Sequence, residues 1–172
     1  MTNGTNYLNA EPTNGAEFLE VEAFPTIVQK ATDHPMSEMA TVFDSTFSEI
    51  GPLMATSGIA PVGPAIALFH RMPTDTSTFE AGFPVSKPLE ESHTTDAGIV
   101  LEASELPGGT IARYSYIGPF DGLGDAWTKF GSEIEAAGKK MELPFWEVYV
   151  TEPHPDGDPS KLRTDLVTRV SG

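Results

Sequence analysis

The chain has 172 residues, with 10 Lys and Arg against 25 Asp and Glu, for a formal charge of -15. A negative field of that size repels phosphate backbones and anionic headgroups, which argues against electrostatic capture of nucleic acid and against docking on a membrane surface. With 39% apolar and 9% aromatic residues and no cysteine, there is material for one ordinary core, and none for thiolate nucleophiles, zinc thiolates or disulfides.

Residues 1–16 are rich in Asn, Thr and Gly and almost free of apolar side chains, the composition of a flexible tail. The opening residues lack the basic and apolar stretches of a secretory leader, and no apolar run approaches the roughly 18 residues of a spanning helix, so a soluble cytoplasmic protein is expected. Residues 17–172 read as a single domain.

Its first element is a strand from Phe18 to Ala31, interrupted or edged by Pro25. After His34-Pro35, Met39, Val42, Phe43, Phe47 and Ile50 recur at helical spacing; Gly51-Pro52 punctuates the end of this helix, with one further turn to Met54. Strands follow at Pro64–His70 and Phe79–Val85, joined by the polar turn Thr74–Thr78.

The pattern then starts again. Strands at Ile99–Ala103 and Thr110–Ile117 flank Leu106-Pro107-Gly108-Gly109, which reads as a hairpin turn. After Gly118-Pro119, a helical stripe comprises Leu123, Ala126, Trp127, Phe130 and Ile134 and closes at Gly138-Lys139-Lys140. Pro144 opens the strand Phe145–Val150, and a polar link leads to a last strand near Leu162–Val170.

The two stretches, about 18–90 and 97–170, share one order of strand, proline, helix, proline-opened strand, turn and strand. A duplicated β-α-β-β unit follows: an α+β fold with a curved antiparallel sheet, two helices and a ligand cleft between the halves.

The run Leu106-Pro107-Gly108-Gly109-Thr110, with Ala112-Arg113-Tyr114, Gly118-Pro119-Phe120 and Phe145-Trp146-Glu147-Val148-Tyr149, resembles the GyrI-like small-molecule-binding domain, the effector-binding domain of AraC-type and MerR-type multidrug regulators. Val62–Phe69 and Phe79–Val85 resemble its first half. The resemblance implies ligands, often lipophilic cations, held between aromatic walls and a buried glutamate. It also covers stand-alone members, some similar to gyrase inhibitors and some described as hydrolases that open strained cyclopropane rings. The chain departs from the regulators in showing no helix-turn-helix pattern and no basic stretch, so direct contact with nucleic acid is not expected.

Alternation along Phe145–Val150 puts Phe145, Glu147 and Tyr149 on one strand face, and Trp146, Val148 and Val150 on the other. Enclosure would raise the Glu147 pKa, and a bound cation would favour its ionised form. Ala67, three residues beyond Pro64 as Glu147 is beyond Pro144, is the counterpart in the first half, which implies one polar site rather than two. The resemblance places the ligand-binding carboxylate at Glu147. Trp146 belongs to the core by periodicity, while the resemblance puts an aromatic beside the glutamate, so Trp146 stays a candidate. Tyr114 and Tyr116 share a strand face and could form a wall; Phe69 and Phe83 could close the cleft from the first half. Trp127 reads as core.

His34, His70, His93 and His154 show no metal-ligand spacing, no Ser/His/Asp arrangement is legible, and Asp156-Gly157-Asp158 lacks the rest of a calcium loop, so no metal or cofactor is expected. Three readings of function stand. One is a binding module for lipophilic or cationic molecules. Another is a cyclopropanoid hydrolase with Glu147 as general base and Tyr114 or Tyr149 orienting the substrate. The third is a gyrase-inhibitor-like protein contact through the acidic surface, against which solubility or salt adaptation explains the same charge.

Overall fold

Alternation and helical spacing resolve into strands and two long helices in the computed structural model, which describes residues 11–13, 15–151 and 157–172. In chain order the strands are β1 (Glu17–Val21), β2 (Phe24–Pro35), β3 (Ala65–Phe69), β4 (Thr76–Pro84), β5 (His93–Thr94), β6 (Val100–Leu106), β7 (Gly109–Ile117), β8 (Lys140–Tyr149) and β9 (Arg163–Ser171). Helix α1 (Met39–Ser57) lies between β2 and β3, and α2 (Leu123–Ala136) between β7 and β8. Among the described residues no helix is long and apolar enough to cross a membrane.

All pairings are antiparallel, in one curved, unclosed sheet of order β1-β7-β9-β8-β3-β4-β2-β6-β5. The expected hairpin at Leu106-Pro107-Gly108-Gly109 is not there. β6 and β7 do not pair with each other; they continue one another and pair with β2 and β1, which are likewise continuous. A single register carries through, from Glu17↔Arg113 and Val21↔Gly109 to Phe24↔Leu106 and Val28↔Glu102. The two ribbons bend together, and the signal taken for a turn is that bend. A Cβ added at Gly108 would stand 2.6 Å from the Ala23 backbone nitrogen, so glycine is needed where the ribbons touch.

Helix α1 also outruns its expected end. It passes through Pro52 and stops at Gly58, which takes the left-handed conformation with φ 66° and donates to the Met54 carbonyl. An internal proline costs about 3 kcal/mol, but Leu53 and Met54 beyond it are buried with Ile50 and Ile59. Burial of each such side chain contributes about 1.5–3 kcal/mol, which offsets the lost bond.

The sheet separates two environments. On one face Ile66, Leu68, Trp146, Val148, Val28 and Val167 form a core closed by the bent ribbons. Acids buried on this side are paired: Glu80 with His70 and Ser104, and Asp165 with Arg163 at 2.9 and 2.8 Å. The other face carries α1 over β2 and β4, and α2 over β7 and β8. Residues ahead of β1 are also engaged, since Thr13 and Ser115 exchange hydrogen bonds of 3.0 and 2.8 Å.

The halves β2-α1-β3-β4 and β7-α2-β8-β9 meet at the β3–β8 pair, related by an approximate two-fold axis. Each helix is preceded by a proline and a single 3-10 turn, Met36–Glu38 or Phe120–Gly122. Aligning the helices from those turns matches the buried positions Val42, Thr46 and Ile50 with Ala126, Phe130 and Ile134.

Candidate functional site

The β3–β8 pair forms the floor of a cleft between α1 and α2 with a volume of about 1470 Å³. Ala67 and Glu147 lie directly opposite each other in this floor. Glu147 has neighbours Phe145 and Tyr149 on its own strand face, as alternation requires, while Ala67 is fully buried in a core with Val42, Phe69, Phe79 and Phe145.

Both carboxylate oxygens of Glu147 are engaged. The Tyr149 hydroxyl donates to Oε1 at 2.7 Å, and the Trp127 indole Nε1–H donates to Oε2 at 2.8 Å. The residue is only 8% exposed. Burial pushes its carboxyl above the ordinary carboxylate range, while the two donated hydrogen bonds work in the opposite direction. Tyr149 is pushed well above the ordinary phenol range by burial, then by the neighbouring Glu147 charge and the bond it gives up.

Rings surround this group. Phe69 stacks on Phe145 with centroids 5.1 Å apart, and Trp127 meets Phe145 edge-on at 4.8 Å. From α1, Phe43 packs against Tyr149 at 5.8 Å and Phe47 against Phe83 at 5.5 Å, while Phe120 closes on Tyr149 at 6.1 Å. Among the described residues lining the cleft there is no Lys, Arg or His; the charged ones are Glu147 and Asp44.

Of the residues singled out in the sequence, Glu147, Tyr149, Phe69 and Phe83 line the cleft. Three others are elsewhere. Trp146 is fully buried on the opposite face of the sheet, in the core with Ile66 and Leu68. Tyr114 shares the helix-bearing face, but α2 covers it: its ring packs on Phe130 at 5.7 Å, beneath the Lys129 ammonium. Tyr116 donates to the Pro119 carbonyl at 2.8 Å, and a Cβ at Gly122 would stand 2.1 Å from its hydroxyl, so this tyrosine braces the turn into α2. His154 and Asp156 fall outside the described residues.

Trp127, which the helical stripe assigns to the core, is instead half-buried and bonded to Glu147. It sits one residue past Ala126, at the edge of the buried stripe. The two-fold match of the helices pairs it with Phe43, another cleft residue; that correspondence was the available signal.

The sequence matches the family described as GyrI-like small molecule binding domain over residues 16–171. No curated protein matches it. The fold is similar to the C-terminal domain of EcmrR, with a TM-score of 0.71 and 17% identity over 91% of this chain and 96% of that one. A structure described as a hydrolase from Listeria innocua gives a TM-score of 0.64 and 13% identity, over 94% of each chain. SAV2435 bound to tetraphenylphosphonium gives 0.62 and 13%, over 92% of this chain and 95% of that one. At such identities the likeness is one of fold.

Proposed function

The chain belongs to the GyrI-like small-molecule-binding domain family, and we propose that it captures lipophilic organic cations in the cleft between α1 and α2, with Glu147 as counter-charge. The observation that carries this reading is a buried carboxylate at the floor of an aromatic cleft, with hydrogen-bond donors on both oxygens and no basic residue among the described lining residues. An ionised carboxylate in such surroundings is costly until a positive charge joins it. A cation with apolar substituents supplies that charge and covers the ring faces, which attract it in turn. Trp127 and Tyr149 hold the carboxylate in one orientation, so the site is formed before the ligand arrives.

The tetraphenylphosphonium seen in SAV2435 belongs to this ligand class and is the natural first probe. The test is calorimetric titration of the full chain with tetraphenylphosphonium and, separately, with neutral triphenylphosphine oxide. Saturable binding of the cation with clear preference over the neutral compound supports the reading; equal affinity for both, or none for either, overturns it.

A further inference from the structure

The two-fold relation between the halves shows which features of the cleft are matched and which are not. Ala40 pairs with Gly124, Phe43 with Trp127, and Asp44 with Thr128, and all six line the cleft. Across the floor, Ala67 pairs with Glu147 and Phe69 with Tyr149. The deep hydrogen-bonding groups, Glu147, the Trp127 indole and the Tyr149 hydroxyl, therefore stand together in the second half, where the first half has Ala67, Phe43 and Phe69. The first half contributes one charge to the lining, Asp44, on the α1 edge, where α2 has Thr128.

Asp44 is exposed. Its carbonyl accepts from Ser48, but among the described residues its carboxylate has no hydrogen-bond or ion-pair partner. Phe43, the residue before it, touches Tyr149, which in turn holds Glu147. The cleft therefore runs from a buried acid at its floor, past aromatic rings, to an unpaired acid at its edge.

We propose that Asp44 is a second cation subsite and that the cleft selects aromatic dications, one positive end on Glu147 and the other on Asp44. This rests on the reading of Glu147 as counter-charge. Because the two acids are at non-equivalent positions of the two halves, one floor and one edge, the unlike environments also give an unsymmetrical dication a preferred direction. Its more lipophilic end goes to the floor, where water is excluded, and its better hydrated end to the edge.

The experiment compares pentamidine, an aromatic diamidine, with its analogue in which one amidinium is replaced by hydrogen, on wild type, Asp44→Asn and Glu147→Gln. Asp44 is exposed at the cleft edge, and its carboxylate holds no described partner, so Asp44→Asn is compatible with folding. It should weaken pentamidine by about two- to fivefold, the range of a solvent-exposed ion pair, and leave the mono-amidine unchanged; the difference should vanish in about 1 M salt, where screening reaches a few ångströms. If Glu147→Gln weakens both compounds but Asp44→Asn affects them equally or not at all, the second subsite is wrong and the first stands. If Glu147→Gln leaves the mono-amidine unaffected, the underlying reading fails as well.

Discussion

Ala67 faces Glu147 across the central β3–β8 pair, so the two residues that correspond under the approximate two-fold relation are also direct neighbours, one apolar and one acidic, at the centre of the sheet. Ala67 is fully buried against Phe69 and Phe145, two rings that line the cleft. Ala67→Leu should crowd those rings. It should cost about 1–3 kcal/mol of stability through overpacking and weaken cationic and neutral ligands alike, read by thermal melting and by titration. Unchanged affinity would mean that ligands do not rest on those rings.

Glu147 makes a signed prediction for the ligand-free protein. Its pKa is raised in the folded state, so the native protein holds this proton more tightly than the unfolded chain does. The contribution is favourable below the ordinary carboxylate value and is lost as pH rises through the folded value. Glu147→Gln should therefore stabilise the protein relative to wild type at neutral pH, with the difference disappearing on acidification, as measured by denaturant unfolding across pH. A variant less stable than wild type at neutral pH would contradict the desolvation account.

Ligand binding has the opposite slope. A cation prefers the ionised carboxylate, so affinity for tetraphenylphosphonium should rise with pH through the folded pKa of Glu147 and then level. Binding within that window should release a proton, detectable by calorimetry in buffers of different ionisation enthalpy. Tyr149→Phe removes the donor to Oε1 and should move this profile to higher pH. A profile that Tyr149→Phe leaves in place would show that the hydroxyl does not hold the ionised form.

The two tryptophans separate site from core. Trp127→Phe should abolish the ligand-induced change in indole fluorescence and shift the pH profile as Tyr149→Phe does, because it deletes the donor to Oε2. Trp146, fully buried on the other face, should behave differently. Trp146→Phe should lower the melting temperature, leave ligand affinity unchanged and retain the fluorescence response. Loss of affinity in properly folded Trp146→Phe would place that residue in the site after all.

These contrasts show what the sequence could convey. The face shared by Phe145, Glu147 and Tyr149 was legible because period two fixes which side chains of a strand go together. The duplication was legible through prolines that recur at matching places, and with it the correspondence of Ala67 to Glu147, though not that the two face each other across neighbouring strands. Trp127 was not legible, because a residue at the border of a helical stripe faces a core or a cleft depending on how far apart the two helices stand, which is a tertiary quantity. Alternation puts Tyr114 and Tyr116 on one strand face, but whether that face is open or roofed by α2 depends on where the helix lands. The bend at Pro107-Gly108 looked like a hairpin because proline and glycine mark a change of direction without saying which strand lies alongside. The continuation of α1 past Pro52 was hidden for a related reason: burial of Leu53 and Met54, not local propensity, holds that turn.

The central claim is that Glu147 supplies the charge that selects the ligand, and its most direct test is the affinity of wild type and Glu147→Gln for tetraphenylphosphonium against neutral triphenylphosphine oxide, measured side by side at neutral pH. Loss of a charge-assisted contact of about 1.5–3 kcal/mol predicts a roughly 10- to 100-fold drop for the cation and no change for the neutral compound. An equal change for both ligands, or an undiminished affinity of Glu147→Gln for the cation, would contradict it.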